Sequence, residues 1–308
     1  MLPLQWSRRS WITISMKDEK KYYLGFSAFL GIGPKKLFLL KDYFGSVKKA
    51  YLASSFELLE TGLNQNLVSS FVKFRENLNL DSYFLRLREN GIECQTLEDK
   101  SYPENLKNID DPPFILFSKG KLMAKDRFSL AVVGSRRMSE YGKLVTQKLV
   151  KDLVGYNLTI VSGLAYGVDT VAHKTTLRNN GRTIAVLPCS LDEVYPKENE
   201  GLVKEIIKRG GVVVSEYPPG FRVSRGNFPA RNRIISGISL GTLVTEGAER
   251  SGSLITARLA GEQGREVFAV PGPVTSKNSF TPSLLIKMGA KLVWDVNDIL
   301  EELNLKKR

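Results

Sequence analysis

Two cysteines and one histidine in 308 residues exclude several common chemistries at the outset. Cys94 and Cys189 stand far apart and without C-x-x-C spacing, which argues against a disulfide scaffold or a structural zinc site and reads as two buried, reduced thiols. His173 has Asp169 four residues before it on an expected helix, but no Ser or Cys nucleophile signature lies beside the pair. It is therefore read as a structural cap or a satisfied polar contact, and no catalytic residue is assigned. No apolar run approaches the ~18 residues of a membrane span. The opening MLPLQWSRRSWITISM has basic residues but no continuous apolar core and no small-residue cleavage site, so a cytoplasmic protein without membrane partners is expected.

What is abundant is positive charge. The formal net charge is +13, which favours a polyanionic partner such as nucleic acid. The excess is shared along the chain, with 19 basic against 14 acidic residues up to Lys125 and 26 against 18 beyond it. Length and a 42% hydrophobic content suit one large core and a smaller second one.

Residues 1–15 are set aside as a disordered tail or an upstream start-site extension, because Met16 is followed by the charged run KDEKK and then by the first globular pattern. Residues 16–90 read as a small helical domain. Tyr22, Tyr23, Phe26, Phe29 and Leu30 recur at helical spacing, GIGPKK breaks the pattern, and LFLLKDYF resumes it. The break over residues 31–36 resembles the turn of a helix-hairpin-helix unit that offers amides and lysines to a DNA phosphate; with only one such turn visible, a plain tight turn in a small helical bundle is the preferred reading. FELLETGL and SYFLRLREN continue the helical pattern. A mostly non-helical, proline-bearing connection with Pro103, Pro112 and Pro113 follows a boundary near residues 90 and 91.

Residues 91–308 alternate strand and helix. SLAVVGS, LTIVSG, TIAVLP, GVVVSEY, LGTLVTEG, EVFAVPG and KLVWD are short apolar runs suited to strands covered on both faces. Between them run helical stretches such as YGKLVTQKLVKDLV, with Tyr141, Val145, Leu149 and Leu153 on one side. This predicts an α/β fold with a doubly wound, mostly parallel sheet. Three strands pass into glycine- and hydroxyl-rich turns that open helices, AVVGSRRMSEYG, TIVSGLAYGVD and TLVTEGAERSGSLITA. In a parallel sheet these turns share one edge and aim backbone N–H groups at a site suited to phosphate.

The first turn, Gly134-Ser135-Arg136-Arg137, is not a dinucleotide G-x-G-x-x-G, and no Walker A loop occurs in the chain, so neither cofactor nor metal is expected. Arg136 places a guanidinium where a phosphate can be held in a bidentate fork, while Arg137 reads as solvated. Ser162-Gly163 repeats the arrangement with a hydroxyl donor. The stretch YPPGFRVSRGNFPARNR, residues 217–233, holds Arg222, Arg225, Arg231 and Arg233 with no acidic residue, interleaved with Tyr217, Phe221 and Phe228. Basic groups that track phosphates and aromatic faces that stack bases are what single-stranded nucleic acid requires. Phe228 also suits a core position.

GSRRMSEYGK, VSGLAYGVDTVAHKTTL, GRTIAVLPCSLDEVYPKEN, SEYPPG, NFPARNRIISGIS and ERSGSLITARLAGEQGREVFAVPG follow one another in the order of the DprA (Smf) family of DNA-processing proteins, which residues 91–300 resemble. The resemblance implies an extended Rossmann-like fold preceded by a SAM-like helical domain. It also implies single-stranded DNA binding, a homodimer, and loading of the RecA recombinase during natural transformation in competent cells. Its phosphate-holding turn falls on Gly134, Ser135 and Arg136, its basic rim on Lys197 and Arg231-Asn232-Arg233, and its second hydroxyl-rich turn on Ser251, Gly252 and Ser253.

Two features depart from the family. After Pro273 it usually carries a glycine-threonine-asparagine turn, where this chain has Phe280, Thr281 and Pro282. The winged-helix domain that many relatives carry after the sheet is not found after Leu300. The enzymatic alternative rests on residues 241–246, GTLVTE, which are similar to the G-T-x-x-E element of Rossmann-like nucleotide phosphoribohydrolases but carry one residue more before the glutamate. The Pro-Gly-Gly cradle of that family is replaced by residues 236–240, SGISL, so Glu246 is expected to fix the neighbouring 251–253 turn and not to catalyse.

Overall fold

The computed structural model describes residues 19–305, so the expected extension over residues 1–15 and the start at Met16 lie outside the described residues. The chain divides between Phe84 and Leu85 into two compact units. The first is helical, with α1 (Lys20–Ala28), α2 (Pro34–Phe44), α3 (Val47–Leu52), α4 (Ser55–Glu60), α5 (Gln65–Glu76) and the opening turn of α6 (Leu80–Glu89). Aromatic rings pack together among leucines in its core. Phe26 stacks on Phe71 with ring centroids 5.0 Å apart, and Tyr51 meets both rings edge-on. Helix α1 ends at Ala28, so Phe29 and Leu30 belong to the following turn, and Leu30 is exposed. In that turn Gly33 caps α2, Pro34 occupies its first position, and Lys36 Nζ donates to the Gly31 carbonyl at 3.1 Å.

The second unit is built on a nine-stranded sheet: β1 (Glu93–Thr96), β2 (Ile115–Lys119), β3 (Ser129–Val133), β4 (Thr159–Ser162), β5 (Thr183–Val186), β6 (Val212–Ser215), β7 (Gly241–Val244), β8 (Glu266–Ala269) and β9 (Lys291–Leu292), in the order β1-β2-β6-β5-β4-β3-β7-β8-β9. The seven strands read from the sequence are the continuous parallel part, from β6 to β9. The fold is thus α/β, doubly wound and mostly parallel, preceded by a helical part. The segment read as a connection adds β1 and β2 as an antiparallel edge. Glu93 and Gln95 within β1 and the flanking prolines hide that pair from a search for continuous apolar runs.

Helices α7 (Glu104–Lys107), α8 (Glu140–Gly155), α9 (Val168–Arg178), α10 (Glu200–Lys208), α11 (Asn227–Ile238), α12 (Gly252–Glu262), α13 (Phe280–Lys287) and α14 (Val296–Glu302) cover the sheet. Side-chain alternation on β3 shows two faces. Leu130 and Val132 pack with Leu149, Leu153 and Ala172 on one, and Ala131 and Val133 with Ile234, Ile235 and Ala257 on the other. Both faces bury apolar residues, which is why the strands read as unbroken apolar runs.

From β3 the chain winds through β4, β5 and β6, then crosses back to lay β7 on the other side of β3. Helix α8 leaves β3 toward one face and α12 leaves β7 toward the other. The connections diverge there and open a crevice beyond the carboxyl ends of the strands.

Candidate nucleic-acid interface

That crevice is a cleft of about 770 Å³ lined by the turns after β3, β4 and β7, by α11 and by the start of α12. One of its glycines, Gly134, is there for packing. A Cβ on Gly134 would lie 2.6 Å from Val168 Cγ2 and 2.9 Å from the Glu246 carbonyl oxygen, so the backbone can turn off β3 only without a side chain. Ser135 Oγ accepts from Arg137 N at 3.1 Å and fixes the turn. Across the cleft Ser251 caps α12, its hydroxyl accepting from Ser253 N at 3.2 Å, and the first amides of an eleven-residue helix face the same space.

The charged groups divide into two kinds. Arg136, Arg137, Arg225 and Arg250 are exposed around the cleft, and among the described residues none has a carboxylate within ion-pair distance. Arg136 lies over the Phe228 ring at 5.1 Å, and Tyr195 meets that ring edge-on at 5.5 Å. Phe228 is therefore half-buried at the cleft wall, where it holds a guanidinium in place.

Arg231 is different. It is 3% exposed, forms part of the cleft wall, and donates through one terminal nitrogen to the carbonyls of Gly163 and Val186, while its Nε has no partner. Burial lowers its pKa to about 10, with Asp169 opposing that shift and Arg136 reinforcing it. Asp169 is raised by burial; the Arg231 charge and the amides of Ala165 and Gly163, at 3.3 and 3.1 Å, oppose that. Two guanidinium groups thus share one wall with a single buried carboxylate behind them, an arrangement that an anion in the cleft would complete.

The structure brings together Gly134, Ser135, Arg136, Arg225, Phe228, Arg231, Asn232, Ser251, Gly252 and Ser253 along the cleft. Five other expected residues stand apart. Ser162 is fully buried and its hydroxyl donates to the Val132 carbonyl at 2.7 Å, tying β4 to β3. Gly163 is occupied by Arg231, which packs where a Cβ would go. Arg233 is buried in ion pairs with Glu216 at 2.6 Å and Asp111 at 3.2 Å, so the loop arginines are not all without counter-ions, and the acidic partners come from other strands and loops. Lys197 and Arg222 are exposed outside the cleft lining.

Glu246 also acts elsewhere than expected. Its carboxylate accepts from Ser139 N at 2.8 Å, Ser139 Oγ at 2.5 Å and Asn278 Nδ2 at 3.3 Å, so it fixes the start of α8 and not the 251–253 turn. It is 3% exposed and does not line the cleft.

His173 is structural, as read. The Thr183 hydroxyl gives its proton to the Ile160 carbonyl at 2.7 Å, so it must accept from His173 Nδ1 at 2.7 Å, which fixes the neutral tautomer. Nε2 is buried without a partner, and burial lowers the pKa to about 3.

Sequence reasoning missed Arg137, Arg250, Tyr195 and Asn278 as lining residues. Arg137 carried a usable signal, since it is a second cation in the strand-end turn, whereas Arg250 directly follows Glu249 and reads as balanced. Asn278 carried none. It reaches the cleft because its Nδ2 donates to the Arg137 carbonyl at 3.0 Å and its carbonyl accepts from Gly247 N at 2.7 Å, bonds that exist only once the loops are folded together.

The family model described as DNA recombination-mediator protein A matches residues 93–304. The DNA processing protein DprA of Bacillus subtilis is 45% identical over 218 residues, 70% of this chain and 73% of that protein. Protein Smf of Escherichia coli is 44% identical over 246 residues, 80% of this chain and 66% of its own length. Among solved structures, DNA processing protein A of Streptococcus pneumoniae superposes with a TM-score of 0.78 at 36% identity, covering 93% of this chain and 98% of its own. DNA processing protein A of Helicobacter pylori, solved for its unique single-stranded DNA binding mode, gives a TM-score of 0.60 at 31% identity over 69% of this chain and 96% of its own.

Proposed function

Because the chain belongs to the DNA recombination-mediator protein A family, we propose that its cleft holds single-stranded DNA, and that a homodimer loads the RecA recombinase on that strand in natural transformation. The observation that carries the strand-binding reading is the ring of four exposed arginines, without carboxylate partners among the described residues, around the Phe228 face and the buried Arg231 cation. Cations at several points follow a run of phosphates, and an aromatic and guanidinium wall accepts an unpaired base. A duplex hides its base faces and leaves that wall unused. The Helicobacter pylori relative's single-strand binding supports the same choice. The RecA step rests on family membership as a recombination mediator.

Single strands of about 16 nucleotides should bind tighter than a duplex of equal length at physiological salt, with affinity falling steeply as salt rises. Equal affinity for the two would overturn the cleft reading. Strand binding without any acceleration of RecA filament assembly would remove the loading step and leave the cleft reading intact.

A further inference from the structure

Beside the cleft, and sharing Ala248 and Arg250 with it, lies a second depression of about 820 Å³ that none of the expected site residues lines. Its floor and rim carry Val274, 98% exposed, and Phe280, 44% exposed. Lys277 and Lys287 stand around these apolar groups, both exposed, and among the described residues neither has a carboxylate within ion-pair distance. Glu249 is the one acidic residue in the lining.

Phe280 and Thr281 lie where the chain departs from its family's usual turn, and the structure shows what the departure does. Thr281 is fully buried; its amide donates to the Gly247 carbonyl at 2.8 Å and its hydroxyl to the Ala248 carbonyl at 2.7 Å. These bonds pin the first turn of α13 against the loop that follows β7. Phe280, the residue before, is thereby held at the surface on the side of Arg250. A large exposed aromatic on a fixed turn presents its ring face for stacking at a set place on the surface.

We propose that this depression is a second nucleotide subsite, in which a base of the strand leaving the cleft stacks on Phe280 while Lys277 and Lys287 hold its flanking phosphates. The inference rests on the reading of the cleft as a single-strand site. Continuity at Arg250 and the excess of cations over Glu249 favour a polyanion over an apolar partner.

The test is the length dependence of binding. Fluorescent single strands of about 6 and about 16 nucleotides are titrated against the full chain, Phe280→Ala, and the double variant Lys277→Glu, Lys287→Glu. The expected result is unchanged affinity for the short strand and a loss of about ten-fold for the long one in each variant. Glu249→Gln should shift the long strand in the opposite direction. Equal affinities for the long strand in the unaltered protein and both variants would overturn the subsite alone. So would a loss of equal size at both lengths, which would make these residues supports of the cleft. A change in sedimentation of the DNA-free Phe280→Ala protein without a length effect would assign the surface to a second copy of the chain. Failure of the unaltered protein to bind either strand would overturn this inference together with the reading on which it rests.

Discussion

Arg136 and Arg231 illustrate how one residue type serves two purposes at a single site. Arg231 is held by backbone carbonyls and backed by Asp169, so it sets a fixed positive potential in the wall, while Arg136 is exposed and steered only by the Phe228 ring. Arg136→Ala should therefore weaken single-strand binding by about 1.5 to 3 kcal/mol. It should also reduce the slope of log K against log salt by about 0.7, with the melting temperature unchanged. An unaltered slope in a fluorescence titration would show that this guanidinium contacts no phosphate. Arg231→Ala is a different experiment, because it leaves two buried carbonyls and Asp169 without their cation, and its main effect is expected on stability.

At the scale of elements, the site depends on how α8 begins. Glu246, at the end of the β7 strand's extension, receives Ser139 N and Ser139 Oγ, and Ser139 in turn caps α8 by accepting from Gly142 N at 3.1 Å. The carboxylate lies so close under Gly142 that any Cβ there would overlap it. Glu246→Ala removes the acceptor of three donors, Ser139 N, Ser139 Oγ and Asn278 Nδ2, and should cost about 2 kcal/mol in a urea melt. Glu246→Gln retains one acceptor oxygen and should cost less. Because Asn278 bridges Glu246 to the Arg137 carbonyl, both variants should also lower strand affinity. Neither the parent nor the variants should release free base from nucleoside monophosphates. Base release by the parent that vanished in Glu246→Gln would assign the carboxylate to catalysis.

For the whole molecule, the single histidine makes part of the pH dependence separable. His173 has a pKa of about 3 in the folded protein and ~6.5 when unfolded, because burial and the nearby Arg231 charge disfavour the imidazolium. The native state is thus fully favoured above pH ~6.5. As pH falls toward 3 the unfolded chain takes up a proton that the folded chain refuses, at about 1.4 kcal/mol per pH unit. Stability should drop by about 2 kcal/mol between pH 6.5 and 5, and most of that drop should be absent in His173→Gln. Movement of the imidazole resonances of the unaltered native protein between pH 7 and 5 would contradict the assignment without need of a variant. No helix among the described residues is long and apolar enough to cross a membrane.

The sequence alone determined the local and repetitive features. Seven parallel strands were legible because a strand buried on both faces must be apolar throughout, and three strand-to-helix turns because glycine and hydroxyl residues are what such turns require. Arg136, Ser135 and the capped start of α12 could be placed at the cleft from that pattern, since consecutive βα turns of a parallel sheet share an edge. The edge pair β1 and β2 was not legible, because its strands carry polar residues, Glu93 and Gln95 in one and Ser118 and Lys119 in the other, and sit among prolines. Only tertiary structure decided which arginines reach the ligand and which serve the fold. Arg233 meets Asp111 from a remote segment and Glu216 from the end of β6, and Arg231 meets Gly163, Val186 and the charge of Asp169, all remote in sequence. Ser162 likewise turns its hydroxyl into the sheet, and Glu246 finds Ser139 across two neighbouring strands. Charge and hydrogen-bonding capacity are properties of a residue, whereas exposure and counter-ions depend on which distant segments fold against it.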